Sequence, residues 1–227
     1  GDIFLIQEIE DHPHEGQSRT RRLAEALGLG FVYAPSRKHR RFTHGLALLS
    51  RFPLVDIRVM KLKPLEVHFN LRRRIALAAT ALVGGHPLRI FNVHLDTTIN
   101  TESRHEQMRT VAETATSHSD APVLIGGDVN TNSVHWFART LPVYHRDQAG
   151  ALDEYMQAHG FETPVADCGR THQSGMRLDA FFTRKLDIHE TGVERKANGG
   201  SDHYPLWMDL AWPPQPSQLE HVPAYTL

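Results

Sequence analysis

Ser201-Asp202-His203 stands directly before the apolar run Tyr204-Pro-Leu-Trp-Met-Asp-Leu210. An Asp and a His that are adjacent at the start of a buried strand project to opposite sides of the chain, so one can hold a metal while the other faces a substrate. Taken alone, the triplet is typical of a polar turn entering a strand, because Ser and Asp favour turns. Four more polar clusters upstream, each following or lying in an apolar run, favour a functional site instead.

The four upstream clusters are Gln7-Glu8, Asn92-Val93-His94-Leu95, Gly127-Asp128-Val129-Asn130 and Arg177-Leu178-Asp179. The first is predicted to end the strand that begins near Asp2, and the second ends the return strand of a hairpin that turns at Gly84-Gly85. Each cluster by itself is an ordinary strand terminus or turn. Their repetition along the chain indicates several strands that bring polar side chains to one end of a domain.

The strands are interrupted by a few helices, which favours an α/β (α+β) layered domain built on two sheets. Helical spacing predicts helices over Ser18 to Leu27 and Thr101 to His118. In the second helix we expect Arg104 to face outward with its charged neighbours. Residues 133–160 are predicted to alternate short helices and loops, and Gly175 to Phe182 to form a strand.

The chain has 227 residues and a net charge of −1, so it lacks the global basic field that often marks nucleic-acid binders. Cys168 is the only cysteine, which excludes an intrachain disulfide, and no apolar run is long enough to span a membrane. We expect one domain over residues 1–212 and an extended or mobile tail over 213–227. The opening inside an apolar strand predicts that a first strand is missing, and the lack of a visible signal peptide favours the cytoplasm.

In their order and residue types the five clusters resemble the motifs of the endonuclease/exonuclease/phosphatase superfamily, the deoxyribonuclease I-like metal-dependent phosphohydrolases. The family's motifs run Gln-Glu, Asn-x-His-Leu, Gly-Asp-x-Asn, Arg-Leu-Asp-x-x-Phe and Ser-Asp-His, and the resemblance extends from residue 2 to about 211. It implies a four-layer α/β/β/α sandwich of two central, mostly antiparallel sheets flanked by helices. It also implies hydrolysis of a phosphoester by an activated water.

The resemblance implies a role for each cluster. Glu8 and Asp202 would hold Mg²⁺, with Mn²⁺ as an alternative, because Mg²⁺ prefers a few carboxylate oxygens. Asp128 would orient and deprotonate the water, and Asn130 would hold the phosphate or the water. Asp179 would pair with His203, and either Asp128 or His203 could be the general base.

The remaining implied roles are less sharply defined. His94 would contact the phosphate or assist the leaving group, and Arg73 and Arg74 are candidates for a phosphate contact. Further support for the site is expected from five residues: Gln7, Arg177, Ser201, Arg104 and Gln107. The Asn that family members carry at the end of their first strand lies before the point where this chain starts.

The substrate is less well defined than the reaction. We slightly favour a nuclease, and the alternatives are a phosphodiesterase or phosphatase acting on a small molecule or phospholipid, and a non-catalytic binding module of the same fold. The expected partner is a phosphate-ester substrate, with no protein partner evident. The intact motif set argues against the binding module.

Overall fold

A computed structural model describes residues 1–12, 18–38, 42–63, 74–117, 120–137, 141–144, 148–196 and 200–212. The first half of the chain forms β1 (Ile3–Asp11), α1 (Arg19–Leu27), β2 (Gly30–Lys38), β3 (Thr43–Ser50), β4 (Leu54–Lys61), β5 (Ile75–Val83) and β6 (His86–His94). The second half forms α2 (Thr101–Thr116), β7 (Val123–Asp128), β8 (Val134–Phe137), β9 (Leu141–Tyr144), α3 (Gln148–Ala158), β10 (Asp179–Arg184), β11 (Asp187–Val193) and β12 (Leu206–Ala211).

The first sheet has three antiparallel strands in the order β1-β3-β2. Strand β1 does not end at Gln7-Glu8 as expected, but continues to Asp11 through an irregularity. Ile6 pairs with Ala47 and Ile9 with Gly45, so two residues of β1 oppose one residue of β3. This is a β-bulge, which re-aims a side chain without ending the strand.

The second sheet has five strands in the order β10-β7-β6-β5-β4. The predicted hairpin is confirmed: β5 and β6 are antiparallel, and both glycines of the turn, Gly84 and Gly85, have positive φ. Strands β6 and β7 are parallel, and α2 makes the crossover between them. β10 then pairs antiparallel with β7.

Three apolar layers hold the elements together. Between the two sheets, Leu46 and Leu48 of β3 pack against Leu77 of β5 and Ile90 of β6. On the outer face of the five-stranded sheet, α2 and α3 contribute to a second cluster, and α1 packs on the three-stranded sheet through Ala24. The result is an α+β sandwich with layers in the order α/β/β/α, as predicted.

Helix α1 illustrates how local chemistry sets an element's ends. The Ser18 hydroxyl accepts a hydrogen bond from the Arg21 backbone N–H, which caps the first turn. Gly28 adopts the left-handed conformation and its N–H returns to the carbonyls of Ala24 and Glu25, which ends the helix.

Three further expectations were wrong. Arg104 is fully buried, not exposed, because its guanidinium bonds to backbone carbonyls beneath the helix. Residues 134–137 and 141–144 pair as antiparallel strands where helices and loops were predicted. β10 begins at Asp179 and not at Gly175, because the Thr171 hydroxyl accepts the N–H groups of Leu178 and Asp179.

No helix among the described residues is both long and apolar enough to cross a bilayer. Strands β11 and β12 form a separate antiparallel pair. The division into a domain over 1–212 and a tail stays a prediction, and residues 213–227 lie outside the described residues.

Candidate active site

Three predicted site residues form one row across the end of the five-stranded sheet. Asp128 of β7 pairs in register with His94 of β6 on one side and with Asp179 of β10 on the other. The row depends on Gly127, whose φ is +139° and where a Cβ would lie 2.1 Å from the Val93 carbonyl oxygen. Only glycine therefore allows the strands to approach this closely next to Asp128.

The Asp179 carboxylate contacts His203, with 2.8 Å between Oδ2 and the ring Nδ1. Burial of the ring opposes its charge, but the hydrogen bond and charge of Asp179, with the charges of Asp128 and Asp202, outweigh burial and raise the pKa of His203 to about 9. Since Nδ1 is occupied by Asp179, the other ring nitrogen, Nε2, is the atom that can face a ligand. The backbone N–H of His203 donates to the Ser201 hydroxyl, which fixes the turn before the ring.

Asp128 and Asn130 form a rigid turn directly after β7. The Asn130 N–H donates to Asp128 Oδ1 at 2.9 Å, and its side-chain amide donates to Asp128 Oδ2 at 3.0 Å and to the Leu95 carbonyl at 2.9 Å. Asn130 has a φ of +51°, in the left-handed region that Asn adopts more readily than most residues with a side chain.

The environment of Asp128 favours the protonated carboxyl. Burial raises its pKa most and the charge of Asp179 adds to this, against the charge of His203, the Asn130 hydrogen bond and the charge of Arg74, so that the pKa is about 7. One ligand atom from each of Asp128, Asp179 and His203 lies within 4.8 Å of the others. Two acids and an imidazole this close can divide proton transfer and charge stabilisation between them.

His94 contacts the guanidinium of Arg74. The Arg74 guanidinium lies 2.8 Å from His94 Nε2 and makes an ion pair with Asp96 at 3.0 Å. Because a guanidinium can only donate, Nε2 must be the accepting nitrogen, and the neutral ring then carries its proton on Nδ1. In this structure Arg74 contacts His94 and Asp96, and its candidate role in a phosphate contact stays a prediction.

Glu8 reaches the site from the three-stranded sheet. It lies in the bulge of β1 with a φ of +53°, its side chain is 65% exposed, and Oε1 lies 3.7 Å from His94 Nε2. The preceding Gln7 donates to the Asn92 side chain at 2.7 Å, and Asn92 donates to the carbonyls of Ile6 and Ala47. These bonds join the two sheets directly beneath Glu8.

Asp202 lies apart from Glu8. Its Oδ2 is 3.1 Å from Nε2 of His172, and the ring of His172 meets that of His203 edge-on at 4.8 Å between centroids. Among the described residues, no group of three or more metal-ligating side chains contains both Glu8 and Asp202. Their shared role as metal ligands stays a prediction.

The donor chemistry of Glu8 fits a hard cation. An exposed carboxylate held beside His94 is the type of oxygen ligand that Mg²⁺ takes while it keeps several waters. Glu8 would hold such an ion.

Beneath the row, a buried network supports the strand ends. Arg104 donates to the carbonyls of Asp96, Val129 and Ile99, and Gln107 exchanges two hydrogen bonds with Asp96. Burial lowers the pKa of Arg104 to about 10, against the charges of Asp128 and Asp96. Arg104 and Gln107, which were expected to support the site, therefore directly contact the segments on either side of Asp128.

The other predicted supporting residues act at greater distance. Arg177 makes a bidentate ion pair with Asp153 of α3, and its carbonyl accepts from the Thr131 hydroxyl. Arg73 lies outside the described residues.

Four residues at the site were missed by sequence reasoning: Asn92, Asp96, Thr171 and His172. Asn92 lies inside a quoted motif and Asp96 directly follows it, so both could have been noticed as polar residues in or next to an apolar strand. Thr171 and His172 belong to no quoted motif, and only the fold places them beside Asp179 and His203.

Comparison with known proteins decides the family. Residues 1–203 match the Endonuclease/Exonuclease/phosphatase family. The chain belongs to the endonuclease/exonuclease/phosphatase family. Its members are phosphoesterase hydrolases, and the chain has a phosphoesterase fold. A search of curated protein sequences finds no match to this chain.

Solved structures with the same fold come from distant relatives. A family protein from Leptotrichia buccalis superposes with a TM-score of 0.70 at 15% identity, covering 93% of this chain and 87% of that one. The human Nocturnin catalytic domain with bound sulfate gives 0.68 at 18% identity, covering 93% and 81%. A mannosyl-6-phosphatase from Bacteroides thetaiotaomicron gives 0.64 at 19% identity, covering 93% and 85%.

Proposed function

We propose that this protein is a Mg²⁺-dependent hydrolase that cleaves phosphodiester bonds by in-line attack of water, with a nucleic acid as the favoured substrate. The observation that carries the proposal is the approach of Asp128, Asp179 and His203 to within 4.8 Å at the end of the five-stranded sheet. Phosphoryl transfer needs a group that takes a proton from the attacking water and groups that stabilise charge on the phosphoryl oxygens.

The two candidate bases, Asp128 and His203, differ in pKa because their surroundings differ. His203 is hydrogen-bonded to Asp179, and with a pKa of about 9 it is charged at neutral pH. A charged ring cannot accept the water's proton but stabilises negative charge in the transition state. Asp128, with a pKa of about 7, is a carboxylate in about half of the molecules at neutral pH and is the better base.

Asn130 and His94 complete the polar wall around the reacting groups. The side-chain amide of Asn130 donates both N–H bonds, to Asp128 and to the Leu95 carbonyl, so its Oδ1 would accept a hydrogen bond from the attacking water. Arg74 and Asp96 hold the ring of His94 in one tautomer, with the proton on Nδ1. Mg²⁺ at Glu8 and Asp202 would neutralise charge on the phosphoryl group and the leaving oxygen.

A second candidate is a phosphatase for a small phosphomonoester. It is favoured by the fold shared with a mannosyl-6-phosphatase, although at 19% identity that similarity supports the fold alone. The net charge of −1, which gives no global basic field, also favours a small substrate over a polynucleotide.

The test compares substrates on the full chain. We expect hydrolysis of bis-p-nitrophenyl phosphate with Mg²⁺ or Mn²⁺, loss of the rate with chelator, and cleavage of DNA or RNA oligonucleotides. Faster turnover of p-nitrophenyl phosphate than of the diester, with intact oligonucleotides, would favour the phosphatase. Equal rates with and without chelator would contradict the metal-dependent proposal.

A further inference from the structure

A second cluster of ligating side chains lies beside the catalytic row. One ligand atom from each of His172, Asp202 and His203 lies within 4.8 Å of the others. The closest contact joins His172 Nε2 and Asp202 Oδ2 at 3.1 Å, close to the separation of about 3.3 Å expected for two ligands on one tetrahedral ion with bonds near 2.0 Å. Asp202 is exposed, so its carboxylate can adjust.

Both imidazoles of this cluster have a partner on Nδ1. Asp179 holds Nδ1 of His203 at 2.8 Å, and the Ser174 hydroxyl lies 2.6 Å from Nδ1 of His172. A histidine that binds a metal through one nitrogen usually has the other fixed by a carboxylate, a carbonyl or a similar group. In each ring the nitrogen that can face an ion is therefore Nε2. Nε2 of His203 carries a proton at neutral pH and must release it to solvent when an ion binds.

The tautomer of His172 must change when an ion binds. In this structure the Ser174 N–H donates to Nδ1 at 3.0 Å, so the neutral ring carries its proton on Nε2 and donates it to Asp202. In the other tautomer Nδ1–H donates to the Ser174 hydroxyl, the Ser174 N–H gives up its bond to Nδ1, and Nε2 presents its lone pair together with the Asp202 carboxylate. The ring remains neutral, so this exchange needs no net change of protonation.

We propose that His172, Asp202 and His203 form an inhibitory site for a transition-metal dication, with Zn²⁺ as the ligand. Two imidazole nitrogens and one carboxylate suit Zn²⁺, which prefers nitrogen donors and accepts four-coordinate geometry with a water as the fourth ligand. Mg²⁺, which prefers an all-oxygen octahedron, does not compete well for these donors. The bound ion takes Nε2 of His203, the nitrogen that the proposed function directs to the phosphate, and thereby blocks hydrolysis.

The binding test uses Zn²⁺ alone on the full chain and is independent of activity. Equilibrium dialysis with excess Mg²⁺ is expected to show one tightly bound Zn²⁺, and Co²⁺ substitution to give the visible absorption of a four-coordinate site. Loss of a group that holds a metal ligand in place weakens binding roughly 10–100-fold, which is the effect expected of Ser174→Ala. His172→Ala removes a ligand itself and should weaken binding by more than this. His189→Ala, which changes an exposed histidine on β11, should bind as the unsubstituted protein does.

The inhibition test rests on the proposed function. Zn²⁺ should inhibit Mg²⁺-supported hydrolysis, and His172→Ala should require at least about tenfold more Zn²⁺ for half inhibition, relative to its own uninhibited rate. Absence of Zn²⁺ binding, or equal binding by His172→Ala, would overturn the site. Equal binding by His172→Ala would place the ion on Asp128, Asp179 and His203 instead. Binding without inhibition would overturn the inhibitory role, and a chain without phosphoesterase activity would refute the proposed function while dialysis still decides the site.

Discussion

At the scale of single residues, two side chains of opposite charge, Glu8 and His203, are expected to have different roles at the site. Glu8 is an exposed carboxylate suited to a cation, and His203 is a ring that Asp179 keeps charged. Removal of either should reduce the rate, but for different reasons, and the response to added metal separates them.

We expect Glu8→Gln to weaken Mg²⁺ binding, so that high Mg²⁺ recovers part of the rate. His203→Ala should lose about 10²–10³ in rate with little change in the Mg²⁺ requirement, because it removes charge stabilisation and not a cation ligand. Asp179→Asn should be milder than His203→Ala, because the ring stays in place and loses only the partner that favours its charge. The measurement is rate against Mg²⁺ concentration for each variant, and rescue of His203→Ala with no rescue of Glu8→Gln would reverse the two assignments.

The pKa of Asp128 predicts the pH dependence of the reaction. A base must be ionised, so with a pKa of about 7 the rate should rise tenfold per pH unit below about pH 7 and level off above it. The rate should fall again above about pH 9, where His203 loses the charge that stabilises the transition state. The measurement is kcat/KM against pH at constant Mg²⁺, with Asp128→Asn expected to lose most of the rate. A profile that keeps rising to about pH 9 would instead assign the base to His203, whose pKa is about 9.

At the scale of elements, α2 supports the site through a buried cation. Arg104 reaches the carbonyls of Asp96 and Val129, which flank the row on two different segments. A buried carbonyl that loses its donor costs about 1–3 kcal/mol, so this side chain matters for both stability and geometry.

Arg104→Met should therefore lower the free energy of unfolding by at least about 2 kcal/mol and reduce kcat as the Asp128–Asn130 turn loosens. Arg109→Met, which changes an exposed arginine of the same helix paired with Glu106, is the matched control and should leave the unfolding midpoint nearly unchanged. Urea unfolding of both variants decides this. Similar unfolding midpoints for the two would show that the buried network contributes little.

At the scale of the whole molecule, the site lies across the junction of two sheets. Glu8 comes from the three-stranded sheet, whereas Asp128 and Asp179 come from the five-stranded one. Asn92 joins the sheets there, because its side-chain amide accepts a hydrogen bond from Gln7 and donates to the carbonyls of Ile6 and Ala47. The relative position of the cation ligand and the base thus depends on packing between layers.

Asn92→Leu should destabilise the fold by about 1–3 kcal/mol, because two buried carbonyls lose their donor. It should also raise the Mg²⁺ concentration for half-maximal rate, since Glu8 shifts relative to His94. Ile90→Val, on the same strand but in the core between the sheets, should cost about 0.5–1.5 kcal/mol and leave the Mg²⁺ requirement unchanged. An equal Mg²⁺ requirement in both variants would contradict a role for Asn92 in placing Glu8.

The sequence by itself determined the layered fold and the residue types of the site. Apolar runs such as Ile75–Val83 predict strands because an alternating or continuous pattern of apolar residues can be read from the local sequence. The predicted α+β sandwich is confirmed. The ordered motifs named side chains that the structure brings together, including the pair Asp179–His203 at 2.8 Å. Their catalytic and metal-binding roles stay predictions.

Only the tertiary structure decided which of these groups touch. The row of His94, Asp128 and Asp179 depends on the register of three strands, and the outward turn of Glu8 depends on a bulge opposite β3. Arg104 was predicted to be exposed because its helical position is polar, yet the carbonyls that bury it come from other segments of the chain. Asp202 likewise meets His172 through an isolated bridge between distant loops. Hydrogen bonds between segments far apart in sequence leave no periodic pattern in the chain, and so these contacts follow from the fold alone.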